Sequence, residues 1–166
     1  MALELNGTTG VSAVQAGAVE SGDLPAGSVI QVVNASTSTQ ITSTSTSYID
    51  TTLTASITPT SADNDILVFA NQVGIYDRSG NSQIAFRLVR DGVEIIVFES
   101  LAGYDDGGNN IAVGGVSVSH LDSPSTTSSV TYKTQVKDAG GGNEFRINTN
   151  NLPLTKSTIT LMEIAG

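Results

Sequence analysis

QIAFRLVRDGVEIIVFES, residues 83–100, reads as two strands and the turn between them. Ile84, Phe86 and Leu88 fall at every second position, with Arg87 and Val89 on the other face. That is the period of a strand with one buried side. Asp91-Gly92 is a preferred dipeptide for a two-residue hairpin turn, which needs positive φ at its central residues. Residues 93–98 then return as the partner strand.

The same period runs outward in both directions. Upstream, SVIQVVN (residues 28–34) is a first strand, and a Ser/Thr-rich stretch after it reads as a loop or exposed edge strand ending at Tyr48 and Ile49. In TLTASITP, Leu53, Ala55 and Ile57 alternate with Thr54, Ser56 and Thr58, giving a half-buried strand stopped by Pro59. ILVFANQVGIY (residues 66–76) is a buried strand followed by a turn over DRSGNS. Downstream, LAGYDDGGNN (residues 101–110) reads as a Gly-rich loop and IAVGGVSVSHL (residues 111–121) as a strand. Gly114-Gly115 marks a bulge or a close backbone approach within it. In VTYKTQVK, Val130, Tyr132, Thr134 and Val136 alternate with polar residues. DAGGGN is a turn, EFRINT a short strand, and residues 150–153 another turn. STITLMEI closes the chain with Ile159, Leu161 and Glu163 on one side and Thr158, Thr160, Met162 and Ile164 on the other. Eight to ten strands at this spacing predict an all-β fold, a jelly-roll-like antiparallel β-sandwich over residues 27–166. Residues 1–26 stand apart as an N-terminal segment. They are Gly-rich, with a weak helical turn at residues 14–19, and read either as a disordered tail or as an arm that docks through Leu3, Leu5, Val11 and Val14.

Composition narrows the function classes. Charged residues are 14% of the 166, and about a quarter are Ser or Thr, which suits a hydroxyl-dressed β surface. The formal net charge is −9, with 7 Lys and Arg in all. Nucleic-acid binding needs clustered basic residues, so it is not expected, and neither is an anionic membrane surface. With no cysteine there is no disulfide or thiolate chemistry. No segment approaches 18 apolar residues, so no membrane insertion is expected. The N-terminus lacks a signal-peptide pattern, so a role outside the cell implies release by lysis or within a particle.

The opening LNGTTGVSAV (residues 5–14) resembles the N-terminal segment of small bacteriophage tail-fibre proteins, which often begin Leu-Asn-Gly-(Ser/Thr)-Thr-Gly. SVIQVVN, SYIDTTLTASITPTSADNDILV, FRLVRDG, VTYKTQV and STITLMEIAG, in that order, resemble a virion β-domain of tailed-phage fibres, especially in phages of aquatic bacteria such as cyanophages. The resemblance implies a homotrimeric jelly roll similar to complement and tumour-necrosis-factor-like domains. In such trimers the final strand packs near the threefold axis, which makes Ile159, Leu161 and Ile164 candidates for core or trimer contacts. The chain has no long shaft, so a compact trimer that cements a capsid is the alternative to a short tail fibre.

Candidate chemistry is sparse. His120 and Asp122 would share a strand face with Ser119 opposite, which is not a converging Ser-His-Asp triad. Asp105, Asp106, Asn109 and Asn110 offer oxygen ligands but do not match an EF-hand loop. Glu94, Glu99, Asp105 and Asp106 could supply a carboxylate pair, yet the chain has no Trp for a sugar platform. We therefore expect no enzyme activity, no metal and no cofactor. Tyr76 and Tyr104, at or beside loops, are candidate receptor contacts. The loops at 77–81, 101–110 and 138–143 form the candidate tip. The expected partners are further copies of the chain, other virion proteins of the baseplate, tail or capsid, and host surface polysaccharide, all within a virion.

Overall fold

The computed structural model describes residues 23–78, 82–105, 111–149 and 156–166. They form ten strands: β1 (Val29–Thr37), β2 (Ile41–Ser43), β3 (Ile49–Ile57), β4 (Asp65–Asp77), β5 (Ser82–Arg90), β6 (Val93–Asp105), β7 (Ile111–Asp122), β8 (Val130–Asp138), β9 (Phe145–Ile147) and β10 (Ser157–Ile164). The first sheet runs β1-β10-β4-β9-β2, with β7 along the other edge of β4; the second runs β3-β8-β5-β6. Set the short β2/β9 pair aside, and the eight long strands pair first with last, second with seventh, third with sixth and fourth with fifth. All four pairs are antiparallel. This nested order is that of one long hairpin rolled into two facing sheets, the jelly roll.

Alternation decides which side chains fill the space between the sheets. On β3, Thr51, Leu53, Ala55 and Ile57 are buried and their neighbours exposed. On β8 the buried set is Val130, Tyr132, Thr134, Val136 and Asp138. β10 contributes Ser157, Ile159, Leu161 and Glu163. Leu53, Ile57, Ile66, Val68, Leu88, Tyr132, Ile159 and Leu161 pack as one cluster, and Ile75, Ile84, Phe86, Val136, Phe145 and Ile147 as a second. The β5–β6 turn is the two residues Asp91 and Gly92, with φ of 49° and 86°. Gly92 takes that conformation without strain, and the Asp91 carboxylate accepts the Thr131 N–H at 2.9 Å.

Some segments differ from the sequence reading. β1 continues three residues past Asn34, because the Ser/Thr stretch pairs with β10. Residues 101–105 are strand, not loop: β6 stays paired to β5 as far as Asp105. Gly115 does mark a close approach, since a Cβ there would lie 2.8 Å from the Gln72 carbonyl oxygen. The turns at 79–81 and 150–153, the loop at 106–110 and the helical turn at 14–19 lie outside the described residues.

Two buried carboxylates fasten the ends of the roll. Glu163 accepts hydrogen bonds from Gln31 Nε2 (2.5 Å), Thr60 N (2.6 Å), Thr60 Oγ1 (2.8 Å) and Asn64 Nδ2 (2.6 Å). Asp138 accepts the backbone N–H groups of Gly140, Gly141, Gly142 and Asn143, which closes the turn into β9. Burial works to raise both pKa values, but the donors outweigh it and hold both below the ordinary carboxylate range.

Both groups have folded-state pKa values depressed below the unfolded ones, which lie near 4. Their stabilisation is complete above that pH and is lost as pH falls through the folded values. Stability from urea titrations should therefore stay level above about pH 5 and decline below about pH 4. Glu163→Gln should lower the plateau and shallow the acid decline. Strand polarity is checked separately: Leu161→Ala should cost about 2–5 kcal/mol, whereas Met162→Ala, one residue on, should cost under about 1 kcal/mol.

Candidate interaction surfaces

The register of the first sheet places one side chain from each of four strands in a straight row on its outer face. Val32 lies opposite Met162, Met162 opposite Leu67, and Leu67 opposite Leu121. Directly opposed residues share a face. Val29 and Ile164 pair at one side of this row, and Phe69 stands between Thr160 and Ser119 on the other. Val32 is 55% exposed, Leu121 53% and Phe69 42%. Phe69 borders a shallow depression lined by Asn71, Ser117, Ser119, Thr158 and Thr160. Among the described residues of β1, β10, β4 and β7, Asp65 is the one charged side chain on this face. Glu163, Asp77, His120 and Asp122 lie on the inward positions.

A second apolar exposure lies on β6, the edge strand of the other sheet. Val93 is 68% exposed, Leu101 60% and Val97 42%. β6 slips register against β5 four times along its length. Such irregularity blunts an edge for strand pairing and leaves its side chains available for packing. Of the seven large hydrophobic side chains exposed among the described residues, four lie on the sheet face and three on β6, where Val97 stands opposite Arg87 on the outer side and Val93 opposite Arg90 on the inner side.

The outer face of the second sheet is polar. Lys133 and Gln135 both donate to Asp50 at 2.7 Å, Arg87 pairs with Glu94 at 2.8 Å, and the Arg87 guanidinium lies 4.0 Å from the Tyr48 ring centre. Between Asp50 and Thr54, β3 carries two more residues than β8 carries opposite, and Thr52 within this bulge has φ of 64°. A β-branched residue there stores of order 1–3 kcal/mol of strain. The bulge opens a cleft of about 420 Å³ lined by Asp50, Thr52, Asp91, Thr131 and Lys133.

The residues singled out from sequence fall in several places. Ile159 and Leu161 are fully buried between the sheets of a single chain, so they are core residues and not trimer contacts. Ile164 is half-buried and faces outward beside Val29. Tyr76 is on strand β4, one residue before its end and so beside the 77–81 loop, half-buried and opposite Ala112 and Arg146. Tyr104 is likewise on β6, and its side chain lies outside the described residues, as do Leu3, Leu5, Val11 and Val14. The strand ends that flank the three candidate tip loops do meet at one end of the sandwich. Asp77 pairs with Ile111 and Phe145, Ser82 with Asp105, and Ile84 with Asp138.

Of the carboxylates considered for chemistry, Glu94, Glu99 and Asp122 are engaged structurally, while the Asp105 side chain and Asp106 lie outside the described residues. Asp122 accepts the Tyr132 hydroxyl at 2.6 Å and pairs with Arg90 at 2.5 Å. Burial and then this carboxylate push the Tyr132 pKa well above its ordinary value. Ser119 faces out, away from His120 and Asp122. Glu99 accepts the N–H groups of Ser100 and Leu101. Among the described residues, no three His, Asp or Glu side chains cluster as metal ligands, and no helix is long and apolar enough to cross a membrane.

No family model matches the chain, and neither does any curated protein. Solved structures similar to it include the VP2 subviral particle of infectious bursal disease virus, at 14% identity and a TM-score of 0.41. That match covers 82% of this chain and 37% of VP2. Dimeric latent PorU from Porphyromonas gingivalis is similar at 10% identity and a TM-score of 0.33, over 85% of this chain and 14% of PorU. The chain thus spans well under half the length of either protein. At these TM-scores neither likeness carries an argument about this chain.

The outer row was missed in the sequence. Its signal was there: in ILVFANQV and TLMEI the positions between core residues are themselves apolar, which a strand facing water on one side does not need.

Proposed function

We propose that this chain is a structural subunit of a virus particle and works as a homotrimer of jelly-roll domains, in a short tail fibre of a tailed bacteriophage. The observation that carries the reading is the gathering of exposed apolar side chains on an almost uncharged sheet face. A chain of net charge −9 repels its own copies over most of its surface. Copies can meet where charge is absent and apolar area is exposed. The resemblance of LNGTTGVSAV and the strand segments to phage fibre proteins supplies the setting.

In this reading residues 1–26 attach to the baseplate or tail through Leu3, Leu5, Val11 and Val14. The end of the sandwich at Asp77, Asp105 and Asp138 faces the host and touches surface polysaccharide, with Tyr76 and Tyr104 beside it. Each contact is weak, and threefold repetition raises the effective concentration of the others once one has bound. The subunit binds and builds; it needs no cofactor and performs no catalysis.

Purified particles labelled with an antibody fragment against this domain, imaged by electron microscopy, should show signal at the tail end. Signal spread over the head would overturn the fibre assignment in favour of capsid decoration. Absence from particles would overturn the virion reading.

A further inference from the structure

We infer that the saccharide taken at this end of the sandwich is acidic: Arg78 and Arg146, held together by Glu144, receive a carboxylate or phosphate on it, with Tyr76 alongside. This rests on the polysaccharide contact proposed above and names the chemistry of the sugar. The register builds the site. On β9, Phe145 and Ile147 are buried in the core, which turns Glu144 and Arg146 to the outer face of the first sheet. Arg146 stands opposite Tyr76 on one side and Thr42 on the other, and Tyr76 opposite Ala112. Arg78 directly follows β4, and its backbone N–H donates to the Glu144 carbonyl at 3.1 Å.

One carboxylate oxygen, Glu144 Oε1, then receives Arg78 Nη1 at 3.1 Å, Arg146 Nε at 3.0 Å and Arg146 Nη2 at 2.8 Å. Two guanidinium groups on one carboxylate leave a positive charge in surplus. With 16 acidic residues to 7 basic ones, no shortage of carboxylates forces that sharing. The hydrogen bonds from Arg78 and then Arg146 hold the Glu144 carboxyl below its ordinary pKa, so it stays ionised and pins both side chains. Glu144 does not exhaust their donors: Arg78 Nε and Nη2 and Arg146 Nη1 make no hydrogen bond among the described residues. An exposed ion pair alone is commonly surface decoration. Surplus charge with unspent planar donors is what fits an oxyanion, which guanidinium groups bind in fork geometry. Tyr76, half-buried next to Arg146, adds an aromatic ring with a polar tip for the sugar to pack against. The net charge of −9 acts against an anion from afar, but charges beyond about 10 Å are screened at 0.1 M salt, so the local surplus decides.

The test measures retention of the full-length protein on beads carrying dextran, phosphorylated dextran or polyglucuronate, at one fixed ionic strength. The Arg78 side chain is 50% exposed and that of Arg146 28%, so replacing them leaves the core intact, and circular dichroism checks folding. The wild type should bind one or both acidic polymers and not dextran. Polyglucuronate alone would assign a carboxylate, and phosphorylated dextran alone a phosphate. Arg78→Gln with Arg146→Gln should weaken that binding at least about tenfold. Lys133→Gln, which removes a charge from the outer face of the other sheet, should leave it unchanged. If the double arginine variant binds as the wild type does, or Lys133→Gln loses as much, the site is overturned. If dextran is bound as well as the acidic polymers, the inference falls while the polysaccharide contact stands. Retention on none of the three overturns the polysaccharide contact itself.

Discussion

The fold depends on the insertion of β10 between β1 and β4. This one strand completes the first sheet, supplies Ile159 and Leu161 to the core, and brings Glu163 to its four donors. Its partners lie far off in sequence: Thr158 pairs with Ser36 on one side and Asn71 on the other. Forming such pairs means closing long loops before any stabilisation is gained. Until the C-terminus arrives, β1 and β4 have unpaired edges in the middle of what will become a sheet. Glu163 is then both stabilising and discriminating. A one-residue slip would move it out to solvent, push Met162 and Ile164 into the core, and leave Asn64, Thr60 and Gln31 without their shared acceptor.

That single alternation also separates structure from assembly. The inward positions of β10 build the subunit, and the outward ones, Met162 and Ile164, continue an apolar row that no part of the described chain covers. Two apolar faces on one strand are expected where both are buried. In this subunit one is buried by the second sheet. The proposed assembly buries the other against a neighbouring copy.

Much of the fold was legible. Strict alternation in residues 130–137 and 53–57, the Asp91-Gly92 turn and the division of β10 into two faces all follow from a period of two and turn chemistry. Strand ends were less legible. Residues 35–37 and 101–105 contain Ser, Thr and Gly that favour loops in isolation, yet ladder pairing with β10 and β5 keeps them extended. The interaction surfaces were read least well. Ile159, Leu161 and Ile164 were candidates for core or trimer contacts because the phage-fibre resemblance puts the final strand near a threefold axis, but neither it nor composition says which of two apolar faces meets the other sheet. That needs the register, and the register joins residues as distant as Val32, Leu67, Leu121 and Met162. Likewise the strain at Thr52 arises from a mismatch between β3 and β8 that neither strand announces alone.

The central claim is that the apolar face, with Asp65 as its one charged side chain, exists to meet another copy. Its most direct test is the mass of the full-length chain in solution across a wide concentration range, at low and high salt. The account predicts three times the 17.0 kDa chain mass, held or strengthened by salt, because apolar packing is unscreened while the repulsion between acidic subunits is screened. A 17.0 kDa species at every concentration, in both salts, would contradict it.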